Sequence, residues 1–492
     1  MQELNKKFLM EFIPQLKNFD QEIKGVCVDS RQVKKGDLFF AYEGISTDGN
    51  IYIEQAIQKG AIAIISDSIS DPKKNIYRHD SLRKDLGLII SNLFNNPSKK
   101  LKLFTVTGTN GKTSTVEFIS GLINKQQGKC GYLSTIGWCL DGVNLQKESS
   151  LTTPNSLEIN KQLNKMHIKG MNYAALEASS HGLDQGRLDG LEIDTAIFTS
   201  FSQDHLDYHQ TMQNYADSKK KLFLELHPKK SVINIDNVLG KSIYTELTKN
   251  NLETYSVSGS LDADISYKTL RDNKNKVVLK VISPFGNEEI NFNTYSEYLA
   301  INGLSAIVSA TLEGFKFRDL VQLSSNVEFS KGRMSAIKLD EKNLCFIDYA
   351  HTPEALEKAL KDLRSFSSAT IWCVFGCGGD RDKSKRMKMG KASIDYADKV
   401  ILTNDNPRNE DPDEIIQDIL NGLKNTQNIK VELDRRRAID YCLQGMKENE
   451  NENILLIAGK GHEEFQEINQ NKIKFSDFDQ VTNFLNKYGK SS

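Results

Sequence analysis

Apolar and polar positions alternate along the chain in three rhythms. Over residues 1–98, short apolar runs (GVCVDS, GDLFFAY, GAIAIIS, LGLIIS) are broken by turn residues, and Asn95, Asn96, Pro97 and Ser98 form a linker. From Leu101 onward, buried strands alternate with helices. LKLFTVT and MNYAALE are continuous apolar runs of the kind covered on both faces of a parallel sheet. A polar stretch near 258–295 predicts a β-rich excursion within this second part. A third alternation begins near residue 330, where NLCFIDYA, TIWCVFG, DKVILT and NILLIAG are separated by helix-length segments. That is the rhythm of an open doubly wound sheet, whose ligands bind at the carboxyl ends of the strands. DYAHTP, GCGGDRD and AGKGHE each begin where such a strand stops, and TNDNPR begins on the last residue of its strand. The pattern predicts an α/β chain of three domains, 1–98, 99–329 and 330–492, in keeping with a length of 492 residues.

Residues 103–115 read LFTVTGTNGKTST: a strand, a glycine turn, then a helix starting near Lys112. Backbone N–H groups and a helix N-terminus make such a turn an anion cradle, here Gly108, Thr109, Asn110, Gly111, Lys112, Thr113 and Ser114. Lys112 would reach the outer phosphates of a nucleotide and Thr113 would bind Mg²⁺. The alternative is a tight strand–helix turn with an exposed lysine. The loop is shortened, because Val106 stands where the usual nucleotide loop has its first glycine.

Glu177 ends the strand YAALE, a position open to an oxygen-seeking Mg²⁺ or simply to solvent. His205 and His209 have i, i+4 spacing, which suggests zinc, but no third ligand is evident. In NYADSKKKLFLEL, helical from about Asn214, Tyr215, Lys219, Leu222 and Leu226 share one face, while Lys220 and Lys221 point away. Lys219 on the apolar side either snorkels to solvent or answers to a nearby site.

Lys+Arg 64 against Asp+Glu 65 leaves net charge −1, so no bulk affinity for nucleic acid or membrane is expected and any phosphate recognition is local. MQELNKKFLMEFIPQL, interrupted by Glu11 and Pro14, lacks a secretory core, and no apolar run reaches the ~18 residues of a membrane span. Of seven scattered cysteines only Cys373 and Cys377 lie close together, which makes a poor zinc site and suits free thiols in a reducing compartment. These features point to the cytoplasm.

The ordered set TGTNGKTST, LTTPNS, LEASSHGLDQGRLDG, FSQDHLDYH, YADSK, DYAHTPEAL, GCGGDRD, DNPRNEDP and AGKGHE resembles the Mur ligase family, in the branch that adds the third residue to the UDP-muramoyl peptide. The likeness spans residues 107 to 463, and DSRQVKKGDLFFAYEG extends it back to Asp29. It implies an N-terminal UDP-binding domain, a central ATPase-like domain and a C-terminal Rossmann-like domain. It further implies an ATP-dependent amide ligase of peptidoglycan precursor synthesis, acting as a monomer with Mg²⁺ on UDP-N-acetylmuramoyl-L-alanyl-D-glutamate and meso-diaminopimelate.

Site residues follow from the same resemblance. In that family the lysine matching Lys219 is carbamylated, which turns a cation into an anionic oxygen ligand. One Mg²⁺ is then expected near Thr113 and Glu177, and a second near His205 and carbamylated Lys219; Lys112, Glu177, His205 and Lys219 carry the catalytic roles. Asn302, Arg333 and Asp348 join the ATP site. Leu299 stands where the family has an asparagine that touches the adenine, and Ser296 where it has a glycine. Ser30 marks the UDP site, and Thr152, Thr153, Ser179, Gln185 and Arg187 match residues that hold the muramoyl-peptide. An incoming amino acid shows an ammonium to a carboxylate and a carboxylate to an arginine. Arg381, Asp405, Asn406, Arg408 and Glu463 supply that complement on loops after third-domain strands, and Pro407 and Gly459 belong to the same site. Asp-Asn-Pro-Arg resembles the signature of diaminopimelate-adding enzymes, lysine-adding relatives lacking the arginine; read alone, DNPRNEDP is a proline turn capping the helix DEIIQDIL. A lysine-adding ligase, a folylpolyglutamate-synthase-like ligase and a P-loop switch protein are the competing readings.

Overall fold

A computed structural model of the chain describes residues 6–44, 47–142, 145–146, 151–421, 423 and 426–488. The first five residues of the N-terminal stretch read above lie outside these. The chain divides into two compact units: Met1–Thr105, Gln127–Ala196 and Ser218–Lys230 form one, and Val106–Gln126, Ile197–Asp217 and Ser231–Ser492 the other.

In the first unit, strands Gly25–Cys27, Asp37–Ala41, Ala63–Ser66 and Ile76–Arg78 form a parallel sheet in chain order. Asp37–Ala41 is buried throughout because alternate residues face different cores. Leu38 and Phe40 pack with Leu82, Ile89 and Ile90, whereas Phe39 and Ala41 pack with Ile53 and Ala56. The run LGLIIS belongs to the helix Leu82–Leu93, whose buried Leu82, Leu86, Ile89, Ile90 and Leu93 recur at helical spacing.

A mixed sheet has eleven strands among the described residues. From one edge to the other they run Gly286–Asn291, Val277–Ser283, Ile265–Arg271, Glu253–Ser258, Lys230–Asn234, Thr195–Phe198, Lys102–Thr107, Tyr173–Glu177, Cys130–Leu133, Trp138–Cys139 and Leu145–Gln146. The antiparallel run from Ile265 to Asn291 is the β-rich excursion expected near 258–295.

The second unit holds a six-stranded sheet in the order Ser335–Lys338, Asn343–Asp348, Asn453–Ala458, Thr370–Phe375, Lys399–Leu402 and Ile429–Val431. Only its first strand is antiparallel, which leaves an otherwise parallel sheet. One face packs Phe346, Cys373 and Leu456 against Leu356, Leu360, Met389 and Ile416; the other packs Ile347, Val374 and Leu455 against Ile439, Leu443 and Val481. Helices cover both faces, so the four predicted strands read as unbroken apolar runs. Thr403, expected as the last residue of its strand, lies one residue beyond the end of Lys399–Leu402. All seven cysteines are buried and unlinked. Among the described residues, no helix is long and apolar enough to cross a membrane.

Ser296 caps the helix Glu297–Leu312, and the Glu297 N–H donates to Asp362 Oδ2 at 3.1 Å. Burial pushes the Asp362 carboxyl up to about 7, with the Glu297 carboxylate adding to the shift and Ser296 and Arg271 opposing it. A raised carboxyl stabilises the fold most at acid pH and loses that contribution as pH rises from about 4 to 7. If about half the shift survives relaxation of the site on ionisation, the effect is on the order of 2 kcal/mol. Urea unfolding of wild type and Asp362→Asn at both ends of this window should show the variant gaining relative stability at pH 7. A difference independent of pH would refute the assignment.

Candidate active site

The phosphate loop follows the strand Lys102–Thr107 and ends at Gly111, which caps the helix Lys112–Lys125 with φ +90°. That conformation suits glycine, and a Cβ there would stand 2.6 Å from Tyr298 Oη and from Asn302 Nδ2. The loop therefore sits directly on the helix Glu297–Leu312. Lys112 Nζ donates to the carbonyls of Gly108 and Thr109 at 2.8 and 2.9 Å, Thr199 Oγ1 donates to the Asn110 carbonyl at 2.6 Å, and Asn110 Nδ2 reaches Thr352 Oγ1 at 3.4 Å.

Arg333 arrives from the other side, with Nη2 3.5 Å from Thr113 Oγ1 and its guanidinium over the Tyr349 ring. Ser114 Oγ and Arg333 Nε are buried without a hydrogen-bond partner among the described residues. Two orphaned donors beside a glycine loop suit an anion with several oxygens. Asp348 accepts from Met334 N at 2.6 Å; burial pushes its carboxyl up while Arg333 pulls it down. The cavity continuing from Asn110, Gly111 and Ser114 is lined by Leu299, Met334, Ala350 and Ala359. Leu299, standing where the family has an asparagine, thus lines it as an apolar wall.

His205 has φ +54° and precedes the short helix Leu206–His209. Its Nε2 lies 3.5 Å from Asp204 Oδ2, which also faces His351 at 3.6 Å, while Lys385 stands 3.8 Å from Oδ1. Burial works against the Asp204 charge, yet His205, His351 and Lys385 beside it hold its carboxyl well below the usual range. The His209 ring packs against Tyr208 and Tyr215. The helix Met212–Leu224 buries Tyr215, Lys219 and Leu222 and leaves Lys220 and Lys221 half-buried. Lys221 Nζ bonds Asp184, whereas Lys219 is 1% exposed. Leu226, expected on this face, lies past the helix end and is half-buried.

In the first unit, Glu177 is the buried centre of a polar cluster. Its Oε1 accepts from Thr135 N at 2.7 Å and Oε2 from Thr135 Oγ1 at 3.1 Å. Thr135 Oγ1 meets Thr152 Oγ1, Thr153 Oγ1 donates to the Glu177 carbonyl, and Ser179 N donates back to Thr153. Arg187 donates to the Thr153 carbonyl at 2.6 Å and to Gln185 Oε1. All five residues expected at the muramoyl-peptide site therefore gather around Glu177. Ser30 does not join them; it is buried and donates to Gln55. A cavity of about 180 Å³ beside Gln185 and Arg187 is also lined by Tyr42 and Arg83. Tyr42 falls within the matched stretch DSRQVKKGDLFFAYEG without a role assigned to it, and no motif marked Arg83.

The loops after the third-domain strands also converge. A Cβ at Gly378 would lie 3.0 Å from Arg408 Nη1, 3.7 Å from Arg381 Cγ and 3.9 Å from the Asn406 carbonyl oxygen, and a Cβ at Gly459 would collide with the Asp405 carboxylate. Asn406 Nδ2 donates to Glu463 Oε2 at 2.9 Å. Arg381 is exposed and donates to the Asp380 carbonyl. Pro407 is buried, and Asp411 caps the helix Pro412–Leu420, so the turn reading of DNPRNEDP holds beside the site reading.

Three family models match in chain order: the Mur ligase family catalytic domain over residues 22–100, the Mur ligase middle domain over 106–310, and the Mur ligase glutamate ligase domain over 332–461. The chain is 38% identical to a UDP-N-acetylmuramoyl-L-alanyl-D-glutamate–2,6-diaminopimelate ligase of Caldanaerobacter subterraneus, over 95% of this chain and 96% of that one. The chain belongs to the Mur ligase family. This Mur ligase is also 36% identical to the ligase of the same name from Coxiella burnetii, over 95% and 96% of the two chains. Its fold matches a solved structure of a ligase of that name with a TM-score of 0.70 and 32% identity, covering 98% of this chain and 99% of the other. The phosphate loop, the Glu177 cluster and the loops around Gly378 are thus three polar centres of one Mur ligase.

Proposed function

We propose that the protein joins meso-diaminopimelate to UDP-N-acetylmuramoyl-L-alanyl-D-glutamate with consumption of ATP, in peptidoglycan precursor synthesis. The observation that carries this reading is the loop Asp405–Arg408. In a Mur ligase whose relatives are named for diaminopimelate, it sets Arg408 beside Gly378 and bonds the Asn406 amide to the Glu463 carboxylate. A folylpolyglutamate-synthase-like reading leaves the match over residues 22–100 without a use, and a switch protein leaves the Asp405–Glu463 cluster without one.

A carboxylate is a poor electrophile, so it must first be activated. An oxygen of the dipeptide carboxylate attacks the γ-phosphorus, the bond to ADP breaks, and an acyl phosphate forms. The free amine of diaminopimelate adds to that carbonyl and loses a proton, and the tetrahedral adduct collapses with loss of phosphate. Gly108–Ser114 and Arg333 bind and neutralise the phosphates, largely by positioning. Thr152, Thr153, Ser179, Gln185 and Arg187 hold the muramoyl-peptide, Ser30 belongs to the UDP side, and Asn302 and Asp348 border the nucleotide.

From the family resemblance, Thr113 and Glu177 would each offer an oxygen to a Mg²⁺ ion, and His205 and a carbamylated Lys219 would serve a second. Bound there, Mg²⁺ supplies charge neutralisation at the phosphoryl oxygens. We read the chain as a cytoplasmic monomer working through parts 1–98, 99–329 and 330–492.

The test is phosphate release from ATP over a substrate panel. Turnover should require both the UDP-muramoyl dipeptide and diaminopimelate. Turnover with lysine in its place would point to the lysine-adding branch, and turnover with neither would point to a nucleotide-dependent switch.

A further inference from the structure

The Lys460 side chain is fully buried, although a lysine in the loop after a strand ordinarily extends into water. Burying an ammonium is costly unless it is paired and hydrogen-bonded. Its Nζ lies 2.7 Å from Glu463 Oε2 and 3.0 Å from Asn406 Oδ1, and Asn406 Nδ2 closes the triangle on the same Glu463 oxygen at 2.9 Å. The Glu467 N–H also donates to Asn406 Oδ1 at 3.0 Å. Behind the loop, the buried Arg435–Asp477 pair anchors the strand end, with Arg435 Nη2 donating to the Ala458 carbonyl at 2.9 Å.

We infer that Lys460 is a positioning residue of the amino-acid site, its ammonium fixing Glu463 and Asn406 in the pose that receives the substrate. This rests on the reading of the Asp405–Glu463 cluster given above. Among the described residues both donors to the Glu463 carboxylate land on Oε2, so Oε1 keeps its lone pairs for an incoming ammonium. Two donors on Oδ1 and one acceptor on Nδ2 also settle which way the Asn406 amide points. Without Lys460, Glu463 regains rotamer freedom and the amide loses a partner that forbids its flip. The Lys460 side chain is fully buried while that of Glu463 stays 29% exposed, so the pair is open on the Glu463 side.

The experiment compares Lys460→Met, Glu463→Gln and the double variant in full-length enzyme, with ATP, the UDP-muramoyl dipeptide and diaminopimelate varied in turn. Lys460→Met should raise KM for diaminopimelate about tenfold or more, keep kcat within about threefold, and leave the other two KM values within about twofold. Added to Glu463→Gln it should raise that KM less than about threefold, because residues acting through one contact are not additive. An unchanged diaminopimelate KM, an equal rise in all three KM values, or full additivity would overturn the proposal. If Lys460→Met does not fold, Lys460→Gln keeps a donor without the charge and should give a smaller, still selective rise. Should Glu463→Gln itself leave diaminopimelate binding unchanged, the reading of the cluster fails; a silent Lys460→Met beside an impaired Glu463→Gln defeats only the positioning role.

Discussion

Replacing Lys219 with alanine is expected to lower ligation roughly a thousandfold, with partial recovery in millimolar formate or acetate. The side chain is 1% exposed on the buried face of the helix Met212–Leu224, between Tyr215 and Leu222 in the helical repeat. A carbamate there presents two anionic oxygens to a cation, and removing one such electrostatic contact from a reacting site costs about 10²–10³ in turnover. Loss of the ion it helps to hold adds to that. Small carboxylates restore the oxygens without the tether, so rescue is partial and depends on their concentration. Lys220→Ala, on the half-buried side, should stay within about threefold of wild type. Steady-state phosphate release with a parallel melting curve decides the matter. Full activity in Lys219→Ala removes the carbamate from the mechanism, and a collapse of the melting temperature without rescue makes the lysine structural.

What the sequence disclosed, and what it hid, follows from the range of each signal. The phosphate loop was legible because its glycines, lysine and threonine are consecutive, and their geometry is set by the strand and helix that flank them. The third-domain strands were legible because helices on both faces leave no polar alternation, and ligand motifs of such a sheet must follow strand ends. Periodicity states which face of an element is covered, not by what. LGLIIS, a short apolar run, gave no hint that it continues the helix from Leu82. Lys219 was placed on an apolar face but its depth was not. Tyr42 and Arg83 come to the cavity beside Arg187 from more than a hundred residues away, and Ser30 turns to Gln55 rather than outward. The role of Lys460 was hidden for a related reason. Its motif marks a loop, whereas its burial depends on Asn406, contributed by another strand end.

Arg408→Ala is expected to erase most of the preference for diaminopimelate over lysine, changing the ratio of kcat/KM values about a hundredfold. The two substrates share a carbon chain and differ by the distal carboxylate. Arg408 holds φ +52° because the hairpin Phe465–Ile468 and Asn471–Lys474 grips its backbone: its N–H donates to the Glu467 carbonyl, and its carbonyl accepts from Asn469 N. The guanidinium is held as well, with Nε 3.1 Å from Glu467 Oε2 and Nη1 2.7 Å from the Gly379 carbonyl. Nη2 has no hydrogen-bond partner among the described residues, so one edge of the fork remains for a ligand. A carboxylate meeting that edge forms a charge-assisted contact, while lysine leaves the edge unpaired and brings its own ammonium against it. Together these effects are worth about 3 kcal/mol, or roughly a hundredfold. Arg408→Lys should not restore selectivity, since one ammonium cannot reach Gly379, Glu467 and a carboxylate at once. KM values for ATP and the UDP-dipeptide should move little. Competition between the two amino acids in one reaction gives the ratio directly. A wild type that favours lysine, or an Arg408→Ala variant with an undiminished preference for diaminopimelate, would leave Arg408 as a clamp between Gly379 and Glu467 with no part in choosing the substrate.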